Sequence, residues 1–96
     1  MKVVFHPEAE REFRAAIQYY AEIDQSLAAD FEAKIEESVA MAIAFPMAWR
    51  TMSRGIRRAS VRRFPYGVVY SCTDEEFYIL AIMHLHQKPD YWESRV

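Results

Sequence analysis

Six arginines stand in residues 49–73 with no acid among them: Arg50, Arg54, Arg57, Arg58, Arg62 and Arg63. A guanidinium is a planar fork of donors that matches carboxylate and phosphate oxygens. An arginine-only cluster therefore points to the grip of an anionic partner, either a phosphate backbone or an acidic protein segment. The flanking segments are acidic: residues 1–48 sum to −5 and residues 74–96 to −3, which leaves −2 for the whole chain. The competing reading is that the arginines are consumed by ion pairs with acidic helices of the same chain. His84 and His86 are two apart and would share one face of a continuing strand. Imidazole titrates in the range needed for acid–base work. As zinc ligands the pair lacks a third and fourth partner, because His6 and Cys72 fall on other strands. Cys72 is the single cysteine, so no internal disulfide can form, and no neighbouring motif makes it a nucleophile. In the tail, Tyr91 and Trp92 either fold back to cap the core or anchor a partner beside Arg95.

These groups must be positioned by a small body. The chain has 96 residues, one domain's worth, and its 52% apolar content is ample for a single core. There is no room for a large enclosed catalytic pocket, so function is expected on a surface, a groove or a terminus. The start, Met1–Pro7, has no apolar stretch of the signal-peptide kind, and no run approaches the length of a membrane span. Together with the lone cysteine this predicts a cytoplasmic protein with no membrane, metal or small-molecule cofactor.

Lys2–Phe5 reads as a first strand. Pro7 suits the first turn of a helix, where its missing N–H is not needed. From Glu8 to about Ile23, Phe13, Ile17 and Tyr20, extended by Ala9 and Ala16, form an apolar stripe, with Glu8, Arg11, Glu12 and Glu22 opposite. Asp24-Gln25-Ser26 breaks the pattern, and Ser26 is the expected N-cap of a second helix. Leu27, Phe31, Ile35, Val39, Ala42 and Ile43 repeat at helical spacing until Pro46 stops the helix near Phe45. Two helices with so short a break must form a hairpin, and its uncovered apolar surface calls for a sheet beneath. Residues 46–55 read as irregular. Ile56–Phe64 and Val68–Thr73 read as strands around a Pro65-Tyr66-Gly67 turn, followed by a turn at Asp74-Glu75-Glu76. Phe77–His84 is a nearly continuous apolar run, fit for a strand buried on both faces. The tail reads as a short helix or an extended arm. The expected class is α+β, in the order β-α-α-β-β-β, with an N-terminal helical hairpin on a small, mainly antiparallel sheet and one domain over residues 1–96.

Two segments carry a family resemblance. Val61-Arg62-Arg63-Phe64-Pro65-Tyr66-Gly67-Val68-Val69-Tyr70 resembles the arginine–Phe-Pro-Tyr–apolar–Tyr hairpin of the RelE/ParE toxin superfamily. Ile79–His84 followed by Gln87-Lys88-Pro89-Asp90-Tyr91-Trp92 and Arg95 is similar to the closing strand and Pro-Asp-Tyr-Trp-type tail of its ParE branch, the plasmid-stabilisation toxins. The resemblance implies the toxin half of a type II toxin–antitoxin pair, neutralised by a ParD-like antitoxin whose C-terminal segment wraps over it. For the ParE branch it implies inhibition of DNA gyrase by protein–protein binding, not enzymatic turnover. For the RelE branch it implies ribosome-dependent cleavage of mRNA. A non-toxic relative that only binds antitoxin is the third possibility.

In the first reading Arg57, Arg58, Arg62, Arg63, Tyr91, Trp92 and Arg95 contact the target. An exposed edge of the helices, with Met41, Phe45, Met47 and Trp49, forms the antitoxin groove. In the nuclease reading Arg58, Arg62, His84 and Tyr91 would surround the scissile phosphate of an mRNA on the ribosome. Alternation puts Arg58 and Arg62 on one face, pointing away from the helices, because Ala59 and Val61 look core-facing. No lysine occurs in residues 35–87, which counts against the lysine-based RelE machinery and favours the gyrase reading.

Overall fold

A computed structural model describes residues 1–96. Strand β1 (Lys2–Phe5) leads into helix α1 (Pro7–Ile23), with Pro7 in its first turn and the His6 imidazole accepting from the Glu8 N–H at 3.0 Å. Helix α2 (Gln25–Ala44) follows after a single residue. That residue, Asp24, ends α1 by donating its N–H to Tyr20 O (2.9 Å) and caps α2 by accepting from Ser26 N (2.7 Å). The N-cap is thus Asp24 rather than Ser26, whose hydroxyl also bonds the Asp24 carboxylate. These hydrogen bonds hold the Asp24 carboxyl below the usual carboxylate range, the Ser26 side chain contributing first.

Four strands complete the chain: β2 (Thr51–Ser53), β3 (Ile56–Ser60), β4 (Tyr66–Cys72) and β5 (Glu76–His84), before a 3₁₀ turn at Glu93–Arg95. The sheet order is β1-β5-β4-β3-β2, antiparallel throughout except for the parallel β1–β5 pair. The α+β class and helical hairpin match the sequence reading, with one extra strand. β2 joins β3 through Arg54-Gly55, both at positive φ (53° and 75°), the conformation of a tight two-residue hairpin. β3 stops at Ser60, four residues short of the expected strand end.

The sheet carries apolar packing on both faces. The hairpin covers one, where Phe31, Ile35 and Ala16 meet Ala59, Val68, Tyr70 and Phe77. On the other, Trp92 is 1% exposed and packs with Ile56, Val69, Leu80 and Met83, with Tyr91 alongside. The tail is therefore not an extended arm; it ends in a short 3₁₀ helix at Glu93–Arg95. It is a set of turns folded over the second face.

β5 serves both faces through a β-bulge. Val69 pairs with Ala81, but Tyr70 pairs with Ile79, so Leu80 is an extra residue. Leu80 and Ala81 consequently both face the tail, while Ile79 and Ile82 face the helices. A strictly alternating strand could not place these four side chains this way.

Candidate functional site

The bulge has a polar consequence that fixes the tail. β1 stops pairing where His6 N donates to Ile79 O (2.8 Å), so β5 beyond that point needs other partners along this edge. Side chains supply them. Arg95 donates to Leu80 O at 3.0 Å, and Ile82 N donates to the Glu12 carboxylate at 3.1 Å. Glu12 and Arg95 then pair with each other, Nη1 and Nη2 each 2.9 Å from a different carboxylate oxygen. Tyr91 Oη donates to Glu12 at 2.7 Å, and the Arg95 guanidinium lies 4.9 Å from the Tyr91 ring centre. One carboxylate on α1 thus staples the tail to the edge of β5.

The staple shifts its members. Burial, then the hydrogen bond to Glu12, pushes the Tyr91 phenol well above its ordinary range. The bond to Glu12 raises Arg95 further still. Tyr91 and Arg95 are therefore structural here, and with the buried Trp92 they offer little to a target. This corrects their assignment to a target-binding surface: each spends its polar or apolar surface on the fold. Tyr91, one of the four groups expected around a scissile phosphate, here has its hydroxyl engaged by the Glu12 carboxylate.

The arginines separate into two groups. Arg57 is turned to the helix side, donating to Trp49 O and lying 3.4 Å from Met47 Sδ. Arg62 lies beyond the end of β3, so strand alternation no longer governs it. It pairs with Glu37 of α2 at 3.0 Å, and Glu37 also meets Lys34 at 3.1 Å. Those hydrogen bonds, Lys34 first, lower the Glu37 carboxyl. The expected shared face of Arg58 and Arg62 is thus overturned, since Arg62 sits against the helical hairpin.

Arg58 lies on the tail side, its Nη1 3.9 Å from Met83 Sδ. Its stem crosses Gly67, where a Cβ would come within 2.7 Å of Arg58 Cγ. Gly67 belongs to β4 rather than to a turn, and close approach is why it must be glycine. Arg63 is exposed in the β3–β4 turn at φ 69°. Arg50, Arg54, Arg57, Arg58 and Arg63 make no ion pair; of the six, only Arg62 is neutralised by a carboxylate.

His84 ends β5, its ring 5.1 Å from Tyr66 and 4.8 Å from His86. Its Nδ1 accepts from His86 N at 3.1 Å, which leaves Nε2 as the protonated nitrogen of the neutral ring. Of the four nuclease candidates, Arg58 and Tyr91 lie on the tail side, Arg62 on the helix side, and His84 against Tyr66. No three His, Cys, Asp or Glu side chains lie together as a metal site. Cys72 is half-buried, 3.9 Å from Met1 Sδ.

Two grooves flank α2. Met41 and Trp49 line a cleft of about 440 Å³ whose walls include Glu37, Ser38, Val61 and Arg62. Ser38 closes its floor by donating to Ser60 O at 2.7 Å. Met47 lies instead in a neighbouring cleft with Pro46, Arg57, Tyr70 and Cys72, and Phe45 is exposed outside both. The four groove residues foreseen from sequence therefore divide between adjoining surfaces. A second, apolar groove of about 330 Å³, between β1 and α2, is lined by Val3, Phe5, Val39, Ala40 and Ile43. Val39 and Ile43 read from sequence as part of the core stripe, so their spacing gives no sign of this groove.

A helical hairpin on one face of a five-stranded sheet, a stapled tail on the other, and free guanidiniums along one hairpin define a RelE/ParE-type domain. The family model of the ParE toxin of the parDE type II toxin–antitoxin system matches residues 3–89. The chain belongs to the ParE toxin family. Among solved structures it is similar to a chain of the chromosomal ParDE toxin–antitoxin system from P. aeruginosa. That match has a TM-score of 0.74 and 21% identity over 90% of this chain and 97% of the other, a likeness of fold. No curated protein matches the sequence. No helix is long and apolar enough to cross a membrane.

Proposed function

We propose that this ParE-family toxin arrests cells by binding DNA gyrase in the cytoplasm and is held inactive by a ParD-like antitoxin. The carrying observation is that the exposed Arg63 and the half-buried Arg58 of the β3–β4 hairpin have no carboxylate partner. Charges left unpaired beside acidic helices are available to another macromolecule. Binding rather than turnover is supported by Arg62, which pairs with Glu37 on the helix side, away from the tail-side Arg58.

The cleft beside Met41 and Trp49 and the apolar groove of Val39 and Ile43 run along the two flanks of α2. They suit an amphipathic antitoxin segment, with Arg62 at the rim to receive an acidic residue.

The test is expression of the chain alone, with DNA synthesis and translation followed in parallel. Early loss of DNA synthesis with gyrase-dependent breaks is expected. Early loss of translation with mRNA cuts in the ribosomal A site would reverse the reading in favour of a ribosome-dependent nuclease. Unimpeded growth would identify a relative that binds antitoxin without killing.

A further inference from the structure

We propose that the arginines along β3, two of which also carry the gyrase reading, are a binding site for the phosphodiester backbone of duplex DNA. Arg54 and Arg63 stand just beyond the two ends of β3 and Arg58 within it, a path of at most about 30 Å at about 3.3 Å per residue. Arg50 stands just before β2. None of these four forms an ion pair.

Three features mark the ridge as a built surface. Arg54 and Arg63 are the chain's two non-glycine residues at positive φ, 53° and 69°. That conformation disfavours any residue with a Cβ and is usually filled by glycine or asparagine. Here both tips carry a guanidinium. Between them the stem of Arg58 is seated on Gly67, which leaves no room for a Cβ beneath it. No buried side-chain nitrogen lacks a partner, so the rest of the Arg58 head is left to water.

The surroundings select the ligand. None of the chain's exposed large apolar side chains lies between residues 50 and 63. Contacts made by this stretch are therefore electrostatic first, whichever macromolecule meets it. A single strand would call for exposed aromatic rings on which bases stack. A duplex asks only for cations spaced along its backbone. It offers one charge per about 1.7 Å of axis, many more over the length of the ridge than the three arginines need.

The experiment is fluorescence anisotropy of the full chain with a labelled duplex of about 20 base pairs. Three phosphate contacts predict a logarithmic salt slope near −2.7, so that affinity falls roughly 40-fold between about 50 and 200 mM salt. The variant R54Q/R58Q/R63Q, its fold checked by thermal melting, should lose duplex binding, and each single replacement should flatten the slope by about 0.9. R62Q should bind within about twofold of the parent and keep its salt slope, because Glu37 already neutralises that guanidinium and it releases no counterion from the duplex. The proposal is overturned if the duplex does not bind at low salt or if the triple variant binds as the parent does. It is equally overturned if single-stranded RNA or polyglutamate is preferred over the duplex. Because Arg58 and Arg63 also carry the gyrase reading, gyrase contact is read separately by capture of purified gyrase on the immobilised chain without DNA: gyrase captured while no duplex binds overturns this proposal alone, and duplex bound while no gyrase is captured overturns the gyrase reading alone.

Discussion

Replacing Glu12 by alanine removes four hydrogen bonds and half of an ion pair at one stroke. The carboxylate accepts from Ile82 N, Tyr91 Oη and both Arg95 terminal nitrogens, at 2.7–3.1 Å. The paired side chains are only 20% and 12% exposed, so water cannot readily take over. Removing one member of a fully buried pair costs about 3–5 kcal/mol, and the residual exposure here reduces that to about 2–4 kcal/mol. The cost includes the Ile82 N–H and the Arg95 charge left behind; adding each bond separately would count the same loss twice. In a domain of this length 1 kcal/mol shifts Tm by roughly 4–8 °C, so Glu12→Ala should melt about 10–25 °C below the parent. Glu12→Gln keeps an acceptor for Ile82 and should lose about half as much. The assay is urea and thermal unfolding followed by circular dichroism, with a double-mutant cycle to Arg95→Met. A coupling above about 1 kcal/mol is expected for groups in direct contact. A loss under about 1 kcal/mol for Glu12→Ala, with additive effects, would refute the staple, because it would mean that the tail and β5 edge hold without this carboxylate.

Three further outcomes are expected. Tyr91→Phe should lose about 1.5 kcal/mol at neutral pH, the worth of a hydrogen bond to a charged group. It should also soften alkaline unfolding. The folded phenol titrates above its unfolded value of about 10, so its contribution is complete below that pH and is lost as pH rises further. Burial raises Tyr20, Tyr66 and Tyr70 in the same direction, so some alkaline sensitivity should survive the change and appear in pH-dependent melting curves. Trp92→Ala should cost about 3–5 kcal/mol, read by urea unfolding, because it empties the core on the tail side. Gly67→Ala should unseat Arg58 at a cost of about 1–3 kcal/mol, so that target binding suffers more than the melting temperature alone explains.

The periodicity of Phe13, Ile17 and Tyr20 and of Phe31 and Ile35 is enough to place both helices, because each stripe packs on the sheet as its spacing requires. The apolar run of β5 correctly announces a strand covered on both sides. It cannot announce the bulge at Leu80, since every side chain there is apolar whichever way it faces. β2 escapes notice because Thr51-Met52-Ser53 is three residues long and is held by its turn rather than by its pattern. The N-cap falls to Asp24 rather than Ser26 because one residue can end α1 and begin α2 together.

The candidate site is legible as an arginine cluster but not in its division into free and engaged members. Arg62 changes sides because β3 ends at Ser60, where the chain turns toward Glu37. Glu12 lies on the polar stripe of α1 and looks solvated. Its role depends on a tail some eighty residues away in sequence, a pairing that local pattern does not encode. Gly67 reads as part of a turn, when its smallness serves the stem of Arg58 across the ladder.

That unpaired guanidiniums let this toxin stop gyrase is tested most directly by a supercoiling assay with purified gyrase. The chain and its R58E/R63E variant are compared, each first shown by circular dichroism to be folded. Inhibition by the parent chain that disappears in the variant is the predicted result. Full gyrase activity in the presence of the parent chain, or equal inhibition by the folded variant, would contradict it.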